Sequence, residues 1–263
     1  MDTSLSRANK LIVTTSWDDG DVLDVRLADL LTRYGIRGTF YITKEYRPER
    51  LSDEQIRSIA GAHEIGTHTL THPDLRFLSE EEAGKEILGG KQWLEELLSS
   101  EVSMFCYPRG HYNAAISSAV KEAGFRGART TELGSIALPS NPFDLKTTIQ
   151  IYPFPLRKLN KDQYCWGRLL EPYRQRATGL RALGVSTFAM RSWLSTARAT
   201  FDAALTKGDV FHLWGHSWEI EKYGMWEELG IVLQYVANRK DCVYSTNKEV
   251  LESMSIADDS ISK

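Results

Sequence analysis

The sequence predicts an α/β fold in which a parallel sheet, closed into a barrel rather than left open, is covered by helices. Two observations predict it. Strand-like segments alternate with helix-like segments along most of the chain. The length of 263 residues suits one domain, because single α/β barrels commonly take about 200 to 250 residues. We therefore expect a single domain over residues 1–263.

The first half of the chain begins with a strand and a helix. Lys10–Trp17 predicts a strand that ends at two acids, and Val22–Tyr34 has leucines at helical spacing with Gly35 behind it. Two capping-box patterns mark further helix starts. The remaining elements predicted here are a strand at Thr39–Ile42, a helix opening at Ser52, a strand at His63–Gly66, a helix from Ser79 to about Leu98, a strand at Val102–Tyr107 and a helix at Ala114–Ala123.

The second half continues the alternation after an interruption. Its predicted elements are a helix at Ser195–Lys207, a strand at Val210–Trp214, a helix at Trp226–Asn238 and a strand at Cys242–Tyr244. The stretch 153–191 fits the pattern worst and carries eight Lys or Arg against two acidic residues. We interpret it as a basic insertion. It is either a flank that holds an anionic part of a substrate, such as a phosphate, or a solvated segment, which charge runs usually are.

Composition excludes several classes of protein. The net charge is -3, so the chain offers no broad basic surface for nucleic acid. No run approaches the roughly 20 apolar residues of a membrane span, and Met1–Lys10 is too polar for a secretory signal. Three widely spaced cysteines, an odd number, fit free thiols in a reducing compartment. We expect a cytoplasmic protein, and the sequence leaves its oligomeric state open.

Two pairs of residues carry the chemistry. Asp18 and Asp19 stand where the first strand ends, the position at which barrel folds build their active sites, although Asp-Asp-Gly is also a common turn. His68 and His72 are four residues apart, a spacing that on a helical turn brings two imidazoles to about 5 to 6 Å. Two imidazoles and one carboxylate leave coordination positions open for water and substrate. This donor set is typical of a catalytic zinc or a related divalent ion.

Three segments together resemble a known family. Ser16-Trp17-Asp18-Asp19-Gly20, His68-Thr69-Leu70-Thr71-His72 and Tyr107-Pro108-Arg109-Gly110 are similar to the polysaccharide deacetylase family, also called the NodB-homology family or carbohydrate esterase family 4. The resemblance implies a distorted (β/α) barrel of about seven parallel strands. It also implies metal-dependent removal of N-acetyl groups, or sometimes other acyl groups, from amino sugars.

The resemblance assigns roles residue by residue. Asp18 corresponds to the general base that takes a proton from water. Asp19, His68 and His72 correspond to the metal ligands, with zinc expected first and cobalt, nickel or manganese as alternatives. The backbone N–H of Arg109 corresponds to the oxyanion donor. Candidate substrate contacts are added to these: Tyr107, Trp214 and Trp218, of which the tryptophans can stack on a sugar ring but more often serve as packing.

The third motif departs from the family pattern. Cys106 stands at the position of the usual Arg that orients the catalytic base, and Arg109 stands at the position of an aromatic residue. The orienting Arg is therefore missing from its place, and the sequence does not say which other Arg stands in for it in space. Cys106 itself is expected to be a small buried hydrophobe rather than a nucleophile.

The general acid is predicted from strand periodicity. An ungapped alignment puts Trp214 at the family's catalytic His. Since His212, Trp214 and His216 share one face of a strand, we assign the acid to His216, which lies nearest the open mouth. His212 is predicted to be a hydrogen-bonded core residue. Asp144 and Glu219 are two alternatives for the acid that orients the catalytic His.

These observations predict a metal-dependent hydrolase that removes an N-acetyl group from an amino sugar or from an oligo- or polysaccharide. The expected lack of an export signal favours an intracellular amino sugar, small, lipid-linked or nucleotide-linked, which can carry an anionic group. Two alternatives stay open. The same site can hydrolyse a non-sugar amide, a cyclic imide or an N-formyl group, or the barrel can bind carbohydrate without turnover.

Overall fold

A computed structural model describes residues 10–261, with side chains to residue 254. The polar start that argues against an export signal therefore lies, apart from Lys10, outside the described residues. The strands are β1 (Leu11–Asp19), β2 (Thr39–Ile42), β3 (Glu64–Thr67), β4 (Met104–Cys106), β5 (Gly127–Arg129), β6 (Ile149–Gln150), β7 (Val210–Gly215) and β8 (Cys242–Tyr244). The helices are α1 (Asp24–Arg33), α2 (Asp53–Ala60), α3 (Glu80–Leu98), α4 (Ala114–Glu122), α5 (Glu171–Ala182), α6 (Trp193–Lys207), α7 (Ser217–Tyr223), α8 (Trp226–Val236) and α9 (Asn247–Ile261).

The eight strands form one parallel sheet, in which seven follow one another in the order β5-β4-β3-β2-β1-β7-β6 and β8 pairs with β1. β1 is therefore the strand that pairs with three others. One of its edges pairs with β7, while the other pairs with β8 along Leu11–Val13 and with β2 along Ser16–Asp19. Seven curved parallel strands surrounded by helices make a half-open barrel. This confirms the predicted distorted (β/α) barrel.

The gap between β5 and β6 is bridged by irregular backbone. Leu145 accepts a hydrogen bond from Thr130 N and donates one to Ala128 O, both at 2.9 Å. Three residues later, Thr148 N donates to His212 O on β7, also at 2.9 Å. The stretch 145–148 thus links the two edges of the sheet without forming a regular strand.

The apolar residues pack in two layers. Outside the sheet, one large cluster joins the outward side chains of the strands, such as Val13 and Trp17, to the helices. Inside the barrel a smaller cluster contains Tyr41, Cys106 and Val250. The interior also holds buried polar pairs, including Thr14 with Asn247 at 2.8 Å. The interior is thus packed with side chains and is not a pore, as in other barrels of parallel strands.

The elements predicted from periodicity are confirmed with small shifts of their ends. Both capping boxes form: Ser52 accepts from Gln55 N before α2, and Ser79 accepts from Glu82 N before α3. The alternation missed five elements, namely β5, β6, α5, α7 and α9. Both missed strands are at most three residues long, and α7 has seven residues, so they are too short to display a period.

The basic stretch 153–191 is more regular than expected. It contains α5, twelve residues long, with Pro172 in its first turn, a position that favours helix starts. Buried Ala177 and Leu180 face the core, while Arg174 and Arg181 of the same helix are exposed. This apolar stripe is narrow and lies among many charged residues. The helical period of α5 was therefore not recognised in the sequence. Within residues 10–261, no helix has the length and apolar character needed to cross a membrane.

Candidate active site

The two acids lie side by side at the carboxyl end of β1. In a regular strand, neighbouring side chains point to opposite faces. Asp19, however, has φ of 85°, and Gly20 follows with φ of 72°. This left-handed turn lets both carboxylates line one cavity. Gly20 is required there, because a Cβ would come within 2.7 Å of the Ile42 side chain.

The two histidines follow β3 on a loop. The predicted helical turn is wrong: residues 68–72 have no helical assignment, and Thr69 and His72 have φ of 70° and 58°. The loop is held by Glu86 of α3, whose carboxylate accepts from the backbone N–H groups of Leu70 and Thr71 at 3.0 and 2.9 Å. The imidazoles nevertheless meet, with ring centroids 4.6 Å apart.

Asp19, His68 and His72 converge on one point. The Nε2 atoms of His68 and His72 lie 3.9 and 3.8 Å from Asp19 Oδ1. Two atoms that are each about 2.1 Å from one ion can be at most about 4.2 Å apart, so these separations suit ligands of a shared cation. Asp19 Oδ1 is also buried and has no hydrogen-bond partner among the described residues. An orphaned carboxylate oxygen between two imidazoles fits a divalent metal.

The protonation of the histidines suits the same role. Burial lowers the pKa of His68 to about 4, and burial together with His68 lowers the pKa of His72 to about 4. Both imidazoles are therefore neutral near pH 7, which is the form that binds metal. His68 Nδ1 contacts Cys106 O at 2.8 Å. With the proton on Nδ1, the Nε2 lone pair faces Asp19.

Asp18 has a different environment from its neighbour. Burial raises its pKa, but the Arg129 guanidinium, His68 and His216 lower it more, so the net pKa of Asp18 is below its ordinary value. Arg129 donates from Nη2 to Asp18 Oδ1. The other oxygen, Oδ2, lies 4.0 Å from His216 Nε2. Asp18 is therefore an ionised carboxylate with one oxygen held and the other on the cavity side.

Cys106 is a poor candidate for ligand or nucleophile. It is fully buried, with Sγ 3.9 Å from both Asp18 Oδ2 and His68 Nε2. Asp18, His68 and Cys106 thus form a second cluster of donor atoms. Burial, however, raises the pKa of the Cys106 thiol well above its ordinary value. Because thiolate is the form that binds metal and attacks carbonyls, this supports the expectation of a small buried hydrophobe.

His216 lies at the start of α7 and faces the two acids. Its Nε2 lies 3.9 Å from Asp19 Oδ2, and its Nδ1 is 2.7 Å from Glu219 Oε2. Burial lowers the pKa of His216, but the Glu219 hydrogen bond and Asp19 outweigh it and raise the pKa to about 9. Of the two acids considered for orienting this histidine, the structure places Glu219 against it. Asp144 instead accepts from the Tyr112 hydroxyl at 3.1 Å.

His212 occupies the barrel interior. It is fully buried, with Nε2 2.8 Å from Ser16 Oγ and Nδ1 3.1 Å from Lys146 O. Burial lowers its pKa to about 3. His212 is the hydrogen-bonded core residue predicted from the strand alternation, and it is not among the residues that line the cavity.

The three candidate substrate contacts divide into two groups. Trp214 and Trp218 line the cavity, as does Arg109, the candidate oxyanion donor. Trp218 also donates from Nε1 to Asp19 Oδ2 at 2.8 Å, so it orients that carboxylate. The prediction that Tyr107 contacts substrate is wrong. Its ring is fully buried and stacks on Tyr112 with ring centroids 4.4 Å apart, and its hydroxyl donates to Phe143 O. The residue before Pro108 follows a buried strand, and its side chain turns to the core.

The cavity that Asp18, Asp19, His68, His72 and His216 line has a volume of about 520 Å³. Its wall includes residues that the sequence did not indicate, among them Gln150, Gln175 and Arg176. Arg176 bonds Gln150 Oε1 at 2.8 Å and lies over the Tyr152 ring at 5.3 Å. Within the described part of the chain, it has no carboxylate within 4.0 Å. One cation of the basic stretch therefore faces the cavity unpaired.

Comparison with known proteins shows which family the chain resembles. Residues 6–128, which contain both acids and both histidines, match the family model described as polysaccharide deacetylase. The predicted resemblance to the polysaccharide deacetylase family is confirmed. A peptidoglycan-N-acetylglucosamine deacetylase of Bacillus cereus is 31% identical over 120 residues, which cover 45% of this chain and 55% of that protein. The chain spans about half the length of the first curated relatives it matches.

Solved structures of polysaccharide deacetylases share the fold over almost the whole chain. A candidate polysaccharide deacetylase from Mycobacterium smegmatis superposes with a TM-score of 0.69 at 18% identity, covering 95% of this chain and 92% of that one. A chitin deacetylase from Colletotrichum lindemuthianum gives 0.58 at 16% identity, covering 92% and 88%. At such identities the likeness concerns the fold. The second half of the chain, which supplies Arg129 and His216, thus belongs to the same barrel.

Proposed function

We propose that this protein is a metal-dependent hydrolase that removes an N-acetyl group from an amino sugar. One observation carries the proposal. Asp19, His68 and His72 meet in a cavity that also presents a carboxylate, Asp18, and an imidazole, His216. Amide hydrolysis needs a group that takes a proton from water and one that gives a proton to the departing amine. Both groups are present here, within 4.0 Å of each other.

Asp19, His68 and His72 would hold the metal. Two imidazoles and a carboxylate favour zinc, with cobalt, nickel and manganese as alternatives. When bound, such an ion polarises the acyl oxygen and lowers the pKa of water at its open position toward about 7. Because Arg129 contacts Asp18 and not Asp19, its positive charge lies beside the base rather than beside the proposed ligand.

The protein residues would divide the reaction as follows. Asp18 accepts a proton as water oxygen bonds to the acyl carbon. The backbone N–H of Arg109, at the cavity rim, donates to the acyl oxygen as it gains charge. His216 gives its proton to the nitrogen as the C–N bond breaks, which yields acetate and a free amine. Glu219 holds Nδ1 of His216 at 2.7 Å, so that Nε2 faces the reacting atoms.

Arg176 supports a substrate that carries an anionic group. Burial lowers the pKa of Arg176 to about 10, so it stays charged at neutral pH. An unpaired guanidinium in a cavity wall is suited to a phosphate or carboxylate. In contrast, Arg157 in the same basic stretch is paired with Glu171. We therefore propose that one residue of this stretch contacts substrate while others serve the structure.

A variant pair tests the anionic group. Arg176→Met should raise KM at least tenfold for a phosphorylated N-acetylamino sugar and leave KM for the neutral sugar unchanged. Arg174→Met, which removes an exposed arginine of the same helix, is the matched control and should change neither. An equal effect of Arg176→Met on both sugars would remove the anionic group from the proposal.

A substrate screen tests the reaction itself. N-acetylated amino sugars, chitooligosaccharides, N-formyl sugars, cyclic imides and small amides are assayed for released acid, with zinc, cobalt, nickel or manganese. Acetate release from an N-acetylamino sugar that is lost on chelation and restored by metal is the expected result. Release only from N-formyl groups or imides would replace the substrate class. No release from any compound would leave a carbohydrate-binding barrel. The cytoplasmic location stays a prediction.

A further inference from the structure

We propose that Arg129 positions Asp18, in place of the arginine that the family pattern has at position 106. The inference rests on the proposed function, since Asp18 is the base of that reaction. The sequence has Cys106 where an orienting Arg is expected. The Asp18 carboxylate nevertheless has a cationic partner. Arg129 is fully buried and contacts Asp18 Oδ1.

The sheet explains how a residue 23 positions later reaches the same place. β4 and β5 are parallel neighbours, and Cys106 is in register with Arg129. Register partners on adjacent strands are about 4.8 Å apart, and their side chains leave the same face of the sheet. An arginine side chain is longer than this offset. A guanidinium from either position can therefore contact the one carboxylate.

The surroundings of Arg129 fix its guanidinium. The Tyr41 ring lies on one side, 5.2 Å from Cζ, and the Trp214 ring lies 4.8 Å away. Nη1 contacts Thr130 O at 3.4 Å. A planar group packed against two rings has little freedom, so the hydrogen bond to Asp18 has a defined direction.

The direction of this hydrogen bond matters for the base. Arg129 holds Oδ1 of Asp18, which leaves Oδ2 on the side of His216, the proposed acid. The small Cys106 side chain lies 3.9 Å from Oδ2 and leaves room for this arrangement. Arg129 is therefore a positioning residue: it acts on the reaction through the orientation of Asp18. It also lies one residue beyond the segment that matches the family model.

The experiment removes the arginine at position 129 and then restores an arginine at position 106. Arg129→Met should lower kcat at least tenfold, while KM and the affinity for Zn²⁺ stay within about threefold. Arg129→Lys should also lose about tenfold in kcat, because an ammonium cannot fix the carboxylate direction as a guanidinium does. The relocation variant, with Cys106→Arg and Arg129→Ala combined, should regain at least a third of wild-type kcat. Arg126→Met, which removes an exposed arginine paired with Glu101, is the control and should leave kcat unchanged.

Several results would overturn the proposal. One is a folded Arg129→Met variant with kcat within threefold of wild type. Another is a loss carried by KM or by Zn²⁺ affinity. If Arg129→Met does not fold, Arg129→Lys is the test. A wild-type kcat in Arg129→Lys would refute the positioning role of Arg129. A folded relocation variant no more active than Arg129→Lys would also refute it, because the charge would then be in place without effect.

A melting experiment separates this inference from the proposed reaction. Arg129→Met leaves a buried carboxylate without its cation, and Asp18→Asn leaves a buried cation without its carboxylate. Each should lower Tm, and combining them should restore part of the loss, because no uncompensated buried charge remains. If the wild-type protein were inactive on every substrate, the proposed reaction would be refuted. The Tm values of the single and double variants would still measure the coupling between Arg129 and Asp18. Additive losses of Tm would show that Arg129 and Asp18 do not act together.

Discussion

Replacing Glu219 by Gln removes one charge from the site with little change of shape. Gln can still accept from His216 Nδ1, so the imidazole keeps its place while it loses the carboxylate that, after the opposing effect of burial, contributes most to raising its pKa to about 9. With that pKa, about 90% of His216 is protonated at pH 8. If the pKa falls to the ordinary value of about 6.5, about 3% is protonated at pH 8 and about 76% at pH 6.

The expected result is therefore strongly dependent on pH. Glu219→Gln should lower kcat/KM for acetate release more at pH 8 than at pH 6, by up to about 30-fold at pH 8 and by less than about twofold at pH 6. A cation on Asp19 would lower the pKa of His216 in both proteins, so the quantity to measure is the shift of the alkaline limb to lower pH in Glu219→Gln. Profiles of kcat/KM from pH 5.5 to 10 give it directly.

Glu221→Gln is the matched control. Glu221 lies two residues further along α7, is 56% exposed, and contacts Arg26 and Trp226 on the outer surface. Its removal should leave the alkaline limb unchanged. A Glu219→Gln limb that coincides with the wild-type limb, or an equal shift in Glu221→Gln, would refute the assignment of His216 as a Glu219-held acid.

Three further predictions follow from the geometry. Asp18→Asn should keep Zn²⁺ bound within about threefold and lower acetate release by about 10² to 10⁴; loss of Zn²⁺, measured by titration, would mean that the two acids have exchanged roles. His216→Ala should slow amide cleavage by about 10² to 10⁴ but not cleavage of an activated aryl ester, whose leaving group needs no proton; equal losses in the two rate assays would contradict it. Gly110→Ala should lower the free energy of unfolding by more than Gly134→Ala, which costs about 1 to 2 kcal/mol for its left-handed φ alone. The reason is that a Cβ on Gly110 would come within 2.0 Å of Thr131 Oγ1, while one on Gly134 meets nothing within 4 Å. Equal losses of unfolding free energy in denaturant would refute the clash.

The sequence was sufficient for the parts of the site that are local. Asp18 and Asp19 are adjacent at a strand end, and His68 and His72 are close in sequence, so short patterns identify them. Their local conformation was not predictable in the same way. Non-glycine residues with positive φ, such as Asp19, Thr69 and His72, are held by tertiary contacts, for example the Glu86 carboxylate beneath the histidine loop.

The partners of these residues needed the fold. Arg129 contacts Asp18 across 111 positions of sequence, and only the pairing of β4 with β5 brings it there. A signal was nevertheless available: an arginine within Gly127-Ala128-Arg129-Thr130, between small residues that are suited to a buried strand. Glu219 was indicated more directly, since it follows His216 by three residues, the spacing that joins side chains across one helical turn.

The environment, rather than residue type, separates the roles of the two adjacent acids. Asp18 is bound by a cation, so a second cation on it would be repelled by Arg129. Asp19 Oδ2 accepts from a neutral donor, Trp218 Nε1, and Oδ1 is left toward His68 and His72. His216 lies about equally close to both acids, so the difference between them comes from Arg129. A metal in this cavity would therefore be directed to Asp19, and this is in accord with the proton-accepting role that we propose for Asp18. The charge of Arg129 and the hydrogen bond from Trp218 favour the same assignment of the two acids. Exchanging the proposed roles of Asp18 and Asp19 would therefore require a change at both Arg129 and Trp218.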